Sequence, residues 1–237
     1  MPSTSLSNSE SCPGPDPICA AWRDQLGEVL ITREQIDQRV RELGAAISRD
    51  YAGRDPVLVG VLRGVFFFMS DLLRAIQVPA LVDFIAISRY GPTERTRGVV
   101  RYTKDLDLPI EGRHVLFIED VVDTGLTMGY ILRTLQAREP ASLNICALLD
   151  RPHSRLVDFD IAYVGFEIPD CWVVGYGMDY KEALRQLPHI AVFTPPGRPE
   201  PTFNGPLAPQ VRVPPLPPRD IKAQKTGWLA AGDDATR

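Results

Sequence analysis

Apolar positions along the chain switch between two periods, and a map of elements follows from where they switch. Thr32 followed by Gln35 reads as a capping box. After it, Ile36, Val40, Leu43 and Ile47 recur at spacings of three or four, one face of an amphipathic helix. Pro56 to Leu62 is a short apolar run suited to a strand buried on both faces, and Phe66 to Ile76 reads as a helix. Leu81 to Ile87 predicts a second strand, His114 to Ile118 a third and Ser142 to Leu149 a fourth, with a helix over Leu126 to Ala137. Ile161 to Phe166, Trp172 to Val174 and Ile190 to Phe193 are later strands. Strands alternating with helices argue for an α/β fold, a mainly parallel sheet with helices on both faces.

Proline marks the edges of this pattern. Residues 1–27 begin with Pro2, Pro13, Pro15 and Pro17 among Ser, Asn and Gly and are expected to be a disordered tail. Residues 28–194 form the domain. Residues 195–237 are proline-rich and include the run Pro214-Pro215-Leu216-Pro217-Pro218-Arg219. Such a run favours polyproline II and is expected to stay a solvated tail, with docking on an SH3-like partner as the alternative. Removal of residues 1–20 and 200–237 is therefore expected to leave folding intact. The polar stretch from Ser88 to about Gly112 is too long for a plain connector and is expected to be a mobile functional loop with some hairpin structure. No internal repeat is present.

Composition narrows the function classes. At 44% hydrophobic and 24% charged residues the chain falls in the range of soluble globular proteins. The net charge of −4 gives no reason to expect a nucleic-acid partner, although an acidic protein can still carry a locally positive anion site. Cys12, Cys19, Cys146 and Cys171 show no C-x-x-C spacing, which suggests neither a zinc site nor a disulfide framework. Four reduced thiols, no secretory signal and no apolar run long enough to span a bilayer lead to the expectation of a cytoplasmic protein without a membrane partner.

The chemistry concentrates between Val115 and Thr127. An apolar strand, Val115-Leu116-Phe117-Ile118, runs into Glu119-Asp120, then Val121-Val122, then the tight turn Asp123-Thr124-Gly125-Leu126-Thr127, which opens a helix. Gly125 lets the backbone approach an anion, and the N–H groups at the helix start can point at phosphate oxygens with the helix dipole behind them. Thr124 and Thr127 add hydroxyl donors. Glu119 and Asp120 lie at the carboxyl end of a parallel strand, where open α/β sheets bind ligands, and can accept bonds from two ribose hydroxyls. Taken singly, a glycine turn or a pair of acids is common. The segment is neither a P-loop nor a G-x-G-x-x-G fingerprint.

These thirteen residues resemble the phosphoribosyl pyrophosphate (PRPP) motif of phosphoribosyltransferases. Downstream, Val164-Gly165-Phe166-Glu167-Ile168-Pro169-Asp170 and Val173-Val174-Gly175-Tyr176-Gly177-Met178-Asp179-Tyr180 are similar to the hypoxanthine-guanine (6-oxopurine) branch. The resemblance covers roughly 30–193. It implies the type I phosphoribosyltransferase fold with a small hood subdomain. It also implies an enzyme that transfers 5-phosphoribosyl from PRPP to a purine with Mg²⁺, as a homodimer or homotetramer.

By the same resemblance, Asp123 is the carboxylate near N7 of the purine. A residue at that place could instead cap the following helix. Glu119 and Asp120 contact the ribose hydroxyls and any metal, and Asp123 through Thr127 line the PRPP site. Leu62-Arg63-Gly64 matches the pyrophosphate loop, with a cis peptide expected at Leu62–Arg63. Arg185 matches an arginine that binds pyrophosphate, with Arg155 expected nearby, and Asp179 matches a metal-binding carboxylate. Trp172 stands where an aromatic ring stacks on the purine, and Val173 and Asp179 complete the base site. Two positions depart from the family pattern. Arg151 stands where a lysine normally donates to the purine 6-oxygen, a swap that is not conservative, and Asp150 is a candidate to hold or neutralise it. In the mobile loop, Ser88-Arg89-Tyr90 replaces the usual Ser-Tyr pair, so that Arg89 takes the serine position. A regulatory RNA-binding protein on the same fold and a non-catalytic nucleotide-binding protein are the alternatives. The first would want a basic face, and the second would be favoured if Asp123 or the Glu119–Asp120 pair were missing.

Overall fold

Period-two burial explains the main sheet of the computed structural model, which describes residues 22–89, 100–197, 211–216 and 218. In strand β2 (Val57–Leu62), Val57 and Val59 face one apolar cluster and Leu58 the other. In β5 (His114–Val122) the split is Val115 and Phe117 against Leu116 and Ile118. In β6 (Ser142–Asp150) it is Ile145 and Ala147 against Cys146 and Leu148. Apolar residues on both faces of a strand are what a sheet covered on both sides requires. Helices α1 (Arg33–Asp50) and α2 (Phe66–Ala75) close the first cluster through Ile36, Leu43, Ile47, Phe68 and Leu72. Helix α3 (Leu126–Gln136) closes the second through Ile131, Leu132 and Leu135. The Thr32–Gln35 capping box is present in full at the start of α1.

With β3 (Leu81–Arg89), β4 (Val100–Lys104) and β7 (Tyr163–Glu167), these strands form a six-stranded sheet of order β4-β3-β2-β5-β6-β7. All pairings are parallel except β3–β4. A second, antiparallel sheet has the order β1-β9-β8, from β1 (Leu26–Ile31), β8 (Val173–Val174) and β9 (Ile190–Phe193). It is the small unit beside the main sheet. In the large sheet the chain moves from β2 to β3 on one side, and from β5 to β6 and β7 on the other. The pairing of β2 with β5 ends at Gly60–Ile118, so their carboxyl ends are the point where strand order reverses, the place where open α/β sheets form a ligand crevice. No helix among the described residues is long and apolar enough to cross a membrane.

The structure corrects several boundaries. Strand β5 runs four residues beyond Ile118, because Glu119, Val121 and Val122 still pair with β6. The hairpin structure expected in the Ser88–Gly112 stretch is present as strand β4, antiparallel to β3. Strand β1 escapes sequence reading because half its residues are exposed and its partner, β9, lies at the far end of the domain. The packed fold also reaches back beyond residue 28: the Trp22 ring meets Tyr180 and Phe193 at centroid distances of 5.5 and 6.1 Å.

The largest correction concerns the proline-rich segment, because residues 211–216 lie against the domain, although Arg212, Val213 and Pro215 stay exposed. Arg212 and Glu167 exchange two backbone hydrogen bonds of 2.9 Å, which extends the sheet beyond its edge strand β7. Val211 and Leu216 pack on the main core. Arg39 of α1, only 5% exposed, donates to the carbonyls of Val164, Gly165 and Pro214 and pairs with Glu42. A buried guanidinium supplies the binding energy that proline composition alone conceals. Deleting residues 211–237 is therefore expected to lose about 1–3 kcal/mol, the cost of unpairing buried polar groups. At this chain length that is roughly 2–4 °C in Tm per kcal/mol. Calorimetry checks it, and an unchanged Tm would show that the segment contributes nothing to the fold.

Candidate functional site

The crevice at the strand-order reversal is built from three turns. The first follows β2. The Leu62–Arg63 peptide is cis, as the resemblance implied. Gly64 then passes so close to β5 that a Cβ there would overlap the Asp120 carboxylate, and Gly177 presses against the Gly64 carbonyl on the other side. Gly64→Ala must displace either the loop or Asp120. Since displacements near 1 Å can cost about 10²-fold, kcat/KM for the anionic substrate should fall by that order. Steady-state kinetics beside a Tm measurement check it, and wild-type kinetics would show that this close approach has no bearing on the site.

The second turn follows β5. Glu119 and Asp120 are half-buried, and Glu119 Oε2 is buried without a hydrogen-bond partner. Burial and the adjacent Asp120 push the Glu119 carboxyl well above the usual carboxylate range. Burial also raises Asp120, partly offset by the Val121 N–H bonded to it and by the Arg185 charge. Asp123 is half exposed at the rim. Gly125, with φ of 79°, is the N-cap of α3 and leaves the helix start with no side-chain cap and no acidic residue in its first turn. Asp123 therefore does not cap the helix, which removes the alternative reading of it. Such an uncapped N-terminus offers backbone donors and a positive dipole end to an anion. Asp123, Thr124, Gly125, Thr127 and Glu119 line a cleft of about 180 Å³ with Val61, Ile87, Val121, Val122, Met128 and Ile131. Leu126 is exposed beside it.

The third turn carries the charges opposite. Arg185 pairs with Asp179 at 2.8 Å and with Glu182 at 3.0 Å, and donates to the Gly177 carbonyl at 2.7 Å. Arg63 reaches the same Glu182 at 3.1 Å. Arg63, Arg185 and Asp179 are thus brought together. Lys181, Glu182 and Leu184 all adopt positive φ, a conformation uncommon for such residues and often found at functional sites. Glu182 was missed in the sequence. Its only signal there is its position three residues from both Asp179 and Arg185.

At the base side, Arg151 Nη1 lies 3.8 Å from Asp123 Oδ2 with its side chain 13% exposed, and its Nε is buried without a partner. Trp172 is 41% exposed, set edge-on to Tyr180, so it is not the core residue it could have been. Val173 is buried in β8, paired with Val192. One expectation fails here. Asp150 does not hold Arg151; its carboxylate is taken by Arg155. The Arg155 guanidinium is engaged by Asp150 and by the ring and carbonyl of Phe159. Ser88 and Arg89 end β3, and Tyr90 lies outside the described residues.

A parallel sheet reversing between β2 and β5, with a pair of half-buried acids and an uncapped helix start at the reversal, is the arrangement of a phosphoribosyltransferase. The phosphoribosyl transferase domain model matches residues 31–181. The hypoxanthine-guanine phosphoribosyltransferase of Mycobacterium avium is 49% identical over 173 residues, 70% of this chain and 85% of that protein. Its namesake in Mycobacterium bovis is 44% identical over 196 residues, 80% and 97% respectively. The crystal structure of a Staphylococcus aureus hypoxanthine phosphoribosyltransferase matches with a TM-score of 0.70 at 43% identity, covering 74% of this chain and 95% of that one. The chain belongs to the hypoxanthine-guanine phosphoribosyltransferase family and has the type I phosphoribosyltransferase fold.

Proposed function

We propose that the chain is a purine salvage enzyme. It transfers 5-phosphoribosyl from PRPP to hypoxanthine or guanine, with xanthine a further candidate, giving the nucleotide and pyrophosphate. The observation that carries this reading is the pairing of Arg151 with Asp123 at the mouth of the cleft, 3.8 Å apart. In a 6-oxopurine, O6 and N7 lie side by side on one edge. A donor and an acceptor this close suit that edge, the guanidinium donating to O6 and the carboxylate taking the proton near N7. Trp172 stacks on the ring, with Val173 and Asp179 completing the base site. Thr124 to Thr127 cradle the 5-phosphate, and Glu119 and Asp120 hold the ribose hydroxyls. Arg63, Leu62, Gly64 and Arg185 hold pyrophosphate. Arg155 is left out of this pyrophosphate site, its guanidinium being engaged by Asp150 and Phe159.

The donor set fits Mg²⁺. Glu119 and Asp120 are crowded carboxyls with an orphaned oxygen, and Asp179 lies near enough to raise the Asp120 carboxyl further. Among the described residues no three acidic, imidazole or thiol side chains form a metal cage, so the ion would be held by one or two carboxylates with phosphate oxygens and water. When bound, it neutralises charge on the leaving pyrophosphate. Phe66 and Leu73 lie seven residues apart on one exposed face of α2 and support a homodimer or homotetramer. The free buried thiols of Cys146 and Cys171 support a cytoplasmic setting. The test is a panel of hypoxanthine, guanine and xanthine incubated with PRPP, with Mg²⁺ and with a chelator. Nucleotide should form from at least one base and only with the metal. No turnover of any of the three would overturn the reading.

A further inference from the structure

The base side and the phosphate side of the cleft come from different strands, β6 and β5, and one side chain bridges them. After Arg151 the chain makes a single 3-10 turn, Pro152–Ser154, and doubles back beneath the phosphate turn. There the Leu156 and Val157 N–H groups both donate to the Thr124 carbonyl, at 2.9 and 3.3 Å. The Phe159 ring fills the space beside Gly125, where an added Cβ would come within 2.7 Å of it. Arg155 sits between these contacts. Its guanidinium lies over the Phe159 ring at 4.9 Å from the centroid, donates through Nη1 to the Phe159 carbonyl at 3.4 Å, and donates through Nη2 to the Asp150 carboxylate. Asp150 is 6% exposed, directly precedes Arg151, and accepts through its own carbonyl from the Ile168 N–H at the start of the segment leading to Trp172. One half-buried cation is thus fastened at one end to the residue before Arg151, and at the other to the ring that backs the phosphate turn.

We propose that Arg155 is a positioning residue that sets the spacing between the purine subsite at Arg151 and the phosphate turn at Thr124–Gly125. It touches neither substrate. The role follows from connectivity: the loop of residues 151–159 has contacts on both subsites, and Arg155 is the side chain that closes it into a ring with Asp150. If the ring opens, Arg151 and the turn move independently, and both substrates feel the change. The proposal rests on the phosphoribosyl-transfer reading above.

The test is steady-state kinetics of the full chain with PRPP and the preferred base, beside thermal unfolding. Loss of groups that orient a site's direct ligands typically costs about 10–100-fold. Arg155→Met should therefore raise KM for PRPP and KM for the base together, each by roughly tenfold. Asp150→Asn should give the same joint rise. Arg155→Lys, which keeps a donor for Asp150 but loses the planar contact with Phe159, should retain the base KM better than the PRPP KM. A lower Tm with both KM values unchanged would overturn the proposal. So would a rise in the PRPP KM alone for Arg155→Met, the signature of a direct pyrophosphate ligand. Should Arg155→Met fail to fold, Asp150→Asn decides: a joint rise in both KM values supports the proposal, and unchanged KM values or a rise in the PRPP KM alone overturn it. Failure of the underlying reading is distinct, since the wild-type chain would then form no nucleotide.

Discussion

Asp123→Asn is expected to lower kcat by about 10²–10⁴-fold, the usual cost of losing a general acid–base group, while PRPP binding survives. The amide keeps the size and hydrogen-bonding shape of the side chain but cannot take a proton. Asp123 caps nothing, since Gly125 is the N-cap of α3, so the substitution leaves the turn and the helix intact. The Arg151 guanidinium 3.8 Å away loses its counter-charge, which adds to the loss at the base rather than at the phosphates. Transient kinetics with separate measurement of PRPP affinity checks the split. A kcat within about threefold of wild type would remove Asp123 from the chemistry.

Adenine is expected to react at least about 10²-fold more slowly than hypoxanthine. Its 6-position is a donor, and Arg151 is a donor with a side chain only 13% exposed. Two donors facing each other in a closed site leave both unpaired, at about 1–3 kcal/mol each. Arg151→Lys should keep most activity, because an ammonium can also donate to O6. Arg151→Ala should raise KM for the base far more than for PRPP. Comparable rates for adenine and hypoxanthine, or unchanged base kinetics in the alanine variant, would refute the assignment. Arg151 cannot then be dismissed as a partner of Asp150, whose carboxylate is already taken by Arg155.

Local signals made most of the fold legible. Strands β2, β5 and β6 are apolar on both faces, and α1 carries a complete capping box, so each announces itself within its own residues. The phosphate turn was legible for the same reason, since strand, acids, glycine and helix start follow one another without a break. What was hidden depends on partners far along the chain. Strand β1 is half exposed and exists because β9 lies beside it. Residues 211–216 read as solvated because nothing in a proline-rich run shows that Arg39 and Glu167, more than forty residues upstream, will take up its carbonyls and amides. The partners of Arg155 were hidden because charge type and proximity in sequence to Arg151 do not reveal which carboxylate a guanidinium meets. Only the return of the loop beneath Thr124 brings it to Asp150 and Phe159.

Base-dependent release of pyrophosphate tests the enzyme reading most directly. With PRPP, Mg²⁺ and hypoxanthine, pyrophosphate should appear in step with the nucleotide, one molecule for each, and should not appear when the base is left out. Pyrophosphate released at the same rate without base, or none released with any 6-oxopurine, would contradict phosphoribosyl transfer at this site.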